Sequence, residues 1–307
     1  MKNRLAILNY HQVPADADPL HLNTCHRHIF RKQLESLARY FNVISIDEGV
    51  RGLFAGKLHR NSVVITFDDG YRNNFEVAFD ELQRIGLPAT FFIASDYLDG
   101  GRMWNDTIIE ALRSTRKTAL DLEQFELPIL PVRTNAQRVA AINAIIPVFK
   151  YLQPDEREQA VRRVAKIAEV DLPDDLMMTS AQVKSLHAGG MTIGAHTASH
   201  PILRRLPAQD AREDIIAGRD FLEQLVGCKL RYFAYPNGKP GQDYDKTHVQ
   251  MLSELGFEAA FSTQWGFADR SINRFEIPRV GFGDHVGWRF SLRLLRSYFE
   301  APVQFAA

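Results

Sequence analysis

Ser62-Val63-Val64-Ile65-Thr66-Phe67 is an apolar run that stops abruptly at Asp68-Asp69-Gly70-Tyr71. Ends of strands are where α/β folds place catalytic groups. Adjacent carboxylates repel when both are ionised, so a site that keeps them together supplies a cation or lets one hold a proton. Taken alone, the pair also has a bland reading as an Asp-Asp-Gly turn.

A second strand-like run, Met191-Thr192-Ile193-Gly194-Ala195, feeds His196-Thr197-Ala198-Ser199-His200-Pro201. Histidines four apart occur on zinc-binding helices, but Pro201 disfavours helical geometry at His200 and no Glu follows His196. The pair therefore belongs on a loop after a strand. One carboxylate and two imidazoles form a ligand set that leaves a position open for water, as a catalytic metal requires. The carboxylate left over is the expected general base, taking the proton as hydroxide attacks a carbonyl. A Gly-x-Ser-x-Gly elbow is absent, so a serine nucleophile has no support.

The elements that must hold these groups alternate. Short β-rich runs at 5–10, 42–46, 62–67, 89–94, 191–195, 231–235, 259–262 and 275–280 are separated by helical spacing at 30–41, 75–85, 208–226 and 248–255. That rhythm predicts parallel strands with helical crossovers, in a barrel or a doubly wound sheet. Residues from about 105 to 186 break it, with helical patterns at 107–115, 136–150 and 155–168 and no strand. They are expected to be a helical insertion within a single domain spanning 1–307.

The sequence resembles the polysaccharide deacetylases, the carbohydrate esterases of family 4 that share the NodB homology domain. The residues that carry the resemblance are Thr66-Phe67-Asp68-Asp69-Gly70, His196-Thr197-Ala198-Ser199-His200 and Phe233-Ala234-Tyr235-Pro236-Asn237-Gly238. The resemblance implies a distorted (β/α) barrel of about seven strands. It implies Asp68 as base and Asp69, His196 and His200 as ligands of a divalent ion, zinc foremost, although such a site suits several metals. The reaction it implies is removal of the acetyl group from an amino-sugar nitrogen, in a glycan or glycan precursor of exopolysaccharide or cell-surface polysaccharide synthesis.

Two departures from the family pattern matter. The third motif often carries an Arg, and Ala234-Tyr235-Pro236-Asn237 has none. Arg279, in Ile277-Pro278-Arg279, is the candidate to orient Asp68, and the Asn237 N–H is the candidate oxyanion donor. The C-terminal Leu-x-His that supplies the general acid is also missing. Leu8-Asn9-Tyr10-His11-Gln12-Val13 instead resembles the Tyr-His motif of a circularly permuted branch that includes poly-N-acetylglucosamine deacetylases, making His11 the expected acid and His285 a weaker rival. Tyr71, Trp104 and Tyr235 lie near the motifs, and aromatic faces suit sugar rings.

Composition narrows the partners. Lys plus Arg and Asp plus Glu both number 37, so no charge excess argues for nucleic acid. Cys25 and Cys228 fit neither a disulfide framework nor a CxxC pair and are expected to be partly buried thiols. The N-terminus shows no secretory signal, no segment is long enough to span a membrane, and the expected location is the cytoplasm. Within residues 288–299, Arg289, Arg293 and Arg296 lie at helical spacing beside an apolar face. That stretch reads as a helix packed on the barrel, or as one whose basic edge also touches anionic lipid. Two other functions stay open: hydrolysis of a non-sugar amide or imide, and glycan binding without catalysis.

Overall fold

A computed structural model describes residues 3–21, 25–281 and 287–298. Its strands are β1 (Leu5–Tyr10), β2 (Asn42–Val43), β3 (Ser62–Phe67), β4 (Thr90–Ile93), β5 (Ala119–Leu120), β6 (Leu130–Pro131), β7 (Thr192–Ala195), β8 (Tyr232–Ala234), β9 (Ala259–Trp265) and β10 (Ile277–Arg279). The helices are α1 (Arg27–Tyr40), α2 (Ile46–Ala55), α3 (Asp80–Ile85), α4 (Trp104–Ser114), α5 (Asn135–Lys150), α6 (Pro154–Ala168), α7 (Ser180–Ala188), α8 (Ala208–Val226), α9 (Lys246–Glu254) and α10 (Gly287–Ser297).

Strands β1, β3, β4, β7, β8, β9 and β10 follow one another in that order, every pairing parallel, with β2 alongside the start of β3. Asn9 N–H donates to Val280 O at 2.9 Å and Val280 N–H to Ile7 O at 2.8 Å, which brings β1 back against the chain leaving β10. The result is a nearly closed, distorted (β/α) barrel of seven strands. Single-register contact between β7 and β8 is one source of the distortion.

Alternation along the strands divides the core. Leu5, Ile7, Val64, Phe92, Tyr232, Ala234 and Phe261 cluster together, and α2 adds Ile46, Val50 and Leu53 to the same cluster. Intervening residues such as Leu8, Ile65, Phe67, Phe91, Ile193 and Phe233 pack outward against the surrounding helices. Gly194 is required by this layering, since a Cβ there would sit 2.4 Å from the Phe92 ring.

Between β4 and β7, helices α4, α5 and α6 share a second core built on Ile108, Leu112, Ile145, Phe149, Val161 and Val164. The expected run without strands is corrected here, because β5 and β6 pair antiparallel within it. Two helices escaped the sequence reading although each carries a capping box: Ser45 with Glu48 before α2, and Thr179 with Gln182 before α7. The stretch expected as one helix over 75–85 is a π-helical turn, Asn74–Phe79, followed by α3.

Candidate active site

The motif residues converge at the C-terminal ends of the barrel strands, around a cleft of about 270 Å³. His11 follows β1, Asp68 and Asp69 follow β3, His196 and His200 follow β7, and Asn237 follows β8. Thr263 of β9 completes the barrel side of the wall.

Asp69 is the hub. Its Oδ1 lies 3.3 Å from Nε2 of His196 and 3.3 Å from Nε2 of His200. Two ligands bound about 2.1 Å from one ion at a tetrahedral angle have donor atoms about 3.4 Å apart, so this spacing fits a shared divalent cation. His196 Nδ1 sits 2.7 Å from Ala234 O, and a carbonyl can only accept. The ring therefore carries its proton on Nδ1 and turns a lone pair on Nε2 toward Asp69, the tautomer a metal ligand needs. His200 Nδ1 has no protein partner among the described residues.

Backbone conformation holds these side chains in place. Asp69, Thr197, His200 and Asn237 all have positive φ, at 77°, 66°, 53° and 59°. Such strain in non-glycine residues persists only where the surroundings enforce it. Around the histidine loop, Asp214 of α8 accepts from Ala198 N–H at 2.9 Å and Ser199 N–H at 3.2 Å, while Thr197 Oγ1 accepts from His200 N–H at 3.0 Å. Gly218 lets α8 come this close, for a Cβ there would meet Thr197 C at 2.4 Å.

Asp68 faces Arg279. Nη1 and Nη2 donate to its two oxygens at 2.7 and 2.6 Å, and Nε donates to Ser262 O at 3.0 Å, with arginine and aspartate 2% and 1% exposed. Burial opposes ionisation of Asp68, but Arg279, helped by His196 and His11, outweighs it and holds the carboxyl below the usual range. Burial acts on Asp69 as well, but its contacts with the two imidazoles outweigh burial and hold the carboxyl well below that range. Burial pushes His200 down, whereas the Asp69 contact overrides burial at His196 and raises it.

His11 is exposed to the cleft, and its carbonyl accepts from Nδ2 of the buried Asn74 at 2.7 Å, which fixes the end of β1. The Asn237 N–H has no acceptor among the described residues. Trp104 lines the cleft from α4 with the Arg157 guanidinium 5.1 Å from its ring centroid.

Tyr71 and Tyr235 do not reach the cleft wall, contrary to their expected role. Tyr235 is fully buried, stacks on Tyr244 at 3.7 Å and donates to Phe275 O at 3.0 Å. Tyr71 is buried and donates to Asp106 Oδ1 at 3.1 Å. Asp106 carries no sequence signal: burial first, then the charge on Asp69, pushes it up to about 8, and its Oδ2 is buried without a partner among the described residues. Met103, Asn105, Ile146 and Lys150 also line the cleft from the inserted helices. Of the thiols, Cys25 is buried and Cys228 exposed. His285 lies outside the described residues.

The family model for polysaccharide deacetylases matches residues 55–124 and 153–260, more than half the chain, and the chain belongs to that family. The match includes Asp68, Asp69, Trp104, His196, His200 and Asn237, while His11, Lys150 and Arg279 fall outside it. Among solved structures the fold is similar to that of the Streptococcus pyogenes deacetylase PplD, solved in complex with acetate. The two share 16% identity over 97% of this chain and 99% of that one, with TM-score 0.64. IcaB from Ammonifex degensii has 20% identity over 95% and 97% of the two chains, with TM-score 0.60. The BpsB deacetylase domain from Bordetella bronchiseptica has 16% identity over 92% and 96%, with TM-score 0.58. Comparison with curated proteins gives no match.

Proposed function

We propose that the chain is a metal-dependent deacetylase that hydrolyses the N-acetyl group of an amino sugar in a glycan or glycan precursor. The observation that carries this reading is the pairing of a three-ligand cluster, Asp69, His196 and His200, with a second carboxylate, Asp68, held by Arg279 beside it. A metal kept for structure alone has no use for that second carboxylate.

A divalent ion held by Asp69, His196 and His200, most simply zinc, supplies Lewis acidity toward water and the acetyl carbonyl. Asp68, ionised through Arg279, takes the proton from the attacking water as its oxygen bonds to the carbonyl carbon. The Asn237 N–H donates to the oxygen that gains charge. The C–N bond then breaks, His11 delivers a proton to the departing nitrogen, and acetate and a free amine result. Trp104 offers its ring to the sugar.

The place of the reaction is exopolysaccharide or cell-surface polysaccharide synthesis, at a membrane surface. No helix among the described residues is long and apolar enough to cross a membrane. Helix α10 buries Phe290 and Leu294 and packs on α1, while Trp288 and Leu292, 65% and 61% exposed, stand outward with Arg289, Arg293 and Arg296. Apolar side chains flanked by arginines suit an anionic lipid surface.

The direct experiment incubates zinc-loaded protein with N-acetylglucosamine oligomers and measures acetate and primary amine together. Equal release of both, abolished by a chelator and restored by zinc, is expected. Release of neither from any N-acetylated sugar removes the reading.

A further inference from the structure

Lys150, the last residue of α5, lines the same cleft as His11, Asp69 and His200, although it belongs to the inserted helices. Its ammonium makes no ion pair or hydrogen bond among the described residues, and its contact is the Tyr151 ring, 5.5 Å from nitrogen to centroid. The carboxylate whose charge acts on it is that of Asp243, fully buried, whose Oδ2 accepts from Lys239 N–H at 2.9 Å. Burial pushes the ammonium's pKa down; Asp243 counters this and Lys239 adds to it. Arg205 stands over the Tyr151 ring from the other loop at 5.4 Å, and Gln242 donates to the Tyr151 hydroxyl, so three cations gather where α5 meets the barrel loops.

A half-buried cation with no carboxylate in contact is costly unless a ligand supplies a closer partner. Lysine is a compact point charge with three donors, and a phosphate carries about 1.5 to 2 negative charges near neutrality. In an amino sugar the acetamido group and the anomeric oxygen sit on neighbouring carbons. A phosphate on that oxygen is thus a close neighbour of the scissile amide, and both can share a cleft of about 270 Å³. The family match is interrupted over residues 125–152, the stretch that holds α5. Helix α5, and with it Lys150, therefore lies outside the matched residues.

Resting on the deacetylase reading above, we propose that Lys150 forms an anion subsite, so that the substrate is an N-acetylated amino sugar carrying a phosphate at its anomeric carbon. The phosphate belongs either to a free sugar phosphate or to a carrier-linked diphosphate.

Calorimetry on the zinc-loaded full chain, with N-acetylglucosamine, N-acetylglucosamine 1-phosphate and UDP-N-acetylglucosamine as probes, tests this without relying on turnover. Wild type is expected to bind at least one phosphorylated sugar tenfold or more tighter than the neutral one. In Lys150→Gln that ratio should fall toward one, and in Lys150→Arg it should largely return. Preference for the monoester identifies a free sugar phosphate, and preference for the diphosphate a carrier. Equal binding of neutral and phosphorylated sugars, no binding of either phosphorylated sugar at millimolar concentration, or a preference that Lys150→Gln retains overturns the subsite. Acetate release is measured in parallel: phosphorylated sugar bound through Lys150 but not deacetylated, while a neutral sugar is, overturns it as the substrate, whereas no release from any N-acetylated sugar removes the deacetylase reading and leaves the anion subsite standing.

Discussion

Arg279 reaches across the barrel to grip both oxygens of Asp68, at 2.7 and 2.6 Å, and the same Nη1 touches Thr66 Oγ1 at 3.3 Å. The last strand of the barrel thereby fixes the carboxylate at the end of β3, and each buried charge has the other as its partner.

Arg279→Gln leaves Asp68 buried without its cation. Breaking such a pair costs about 3–5 kcal/mol of stability, visible as a lower denaturation midpoint. The pH profile carries the sign. In wild type the folded carboxyl is depressed, so the base form and its stabilising contact persist above the unfolded value and are lost only as pH falls through the lower folded one. In the variant burial acts unopposed by Arg279, and the acidic limb of kcat should move to higher pH. An unmoved limb would separate Asp68 from the rate.

Asp68→Asn preserves shape but cannot accept a proton. Turnover should drop roughly 10² to 10⁴-fold while zinc content stays at one equivalent, read by metal analysis of the purified variant. Activity within a few-fold of wild type would rule out Asp68 as the base.

Alanine at Asp69, His196 or His200 removes one of the three proposed ligands. Zinc bound only to the native state at 100 times its Kd raises stability by about 2.7 kcal/mol. Wild type should show a zinc-dependent rise in melting temperature, and each alanine variant should lose it. Full occupancy in all three would overturn the assignment.

For His11→Ala, losses should depend on the leaving group. An amide nitrogen must be protonated to depart, whereas an activated acetyl ester leaves unaided, so the fall on N-acetylated sugars should exceed that on p-nitrophenyl acetate by tenfold or more. Equal losses would point to a structural role for His11.

If α10 touches lipid, the protein should sediment with anionic vesicles at low salt and release at high salt, with about 1 kcal/mol per arginine near the surface. Charge reversal at Arg289 and Arg296 should abolish sedimentation. Indifference of the wild type to anionic vesicles at low salt would confine α10 to packing against α1.

How far the sequence could be read depended on whether the information was local. Asp68 and Asp69 end one apolar run, His196 ends another with His200 four residues on, and the alternation of runs with helical spacing was enough for parallel strands. The barrel itself rested on family resemblance, because closure of β1 on β10 is a contact between chain ends that periodicity does not encode. Tyr235 was misplaced for a physical reason: Ala234 turns toward the barrel interior, so the next side chain points outward, into the cluster holding Phe233. Tyr71 stands next to the carboxylates in sequence, yet its hydroxyl is engaged with Asp106. Lys150, Asp106 and Asp214 carried no signal, since tertiary packing alone delivers them to the site.

Among the described residues, four of the nine non-glycine positions with positive φ, Asp69, Thr197, His200 and Asn237, surround the catalytic cleft. Thr197 is β-branched, the type that tolerates such a conformation least, and strained residues of this kind cost about 1–3 kcal/mol each. Glycine at these positions would relax the backbone and remove the machinery in the same step. Selection for folding alone therefore runs against the site. A lineage released from the need for the reaction should drift toward glycine at 69, 197 and 200 and grow hardier as it falls silent, leaving a pattern that distinguishes a retired copy from a working one.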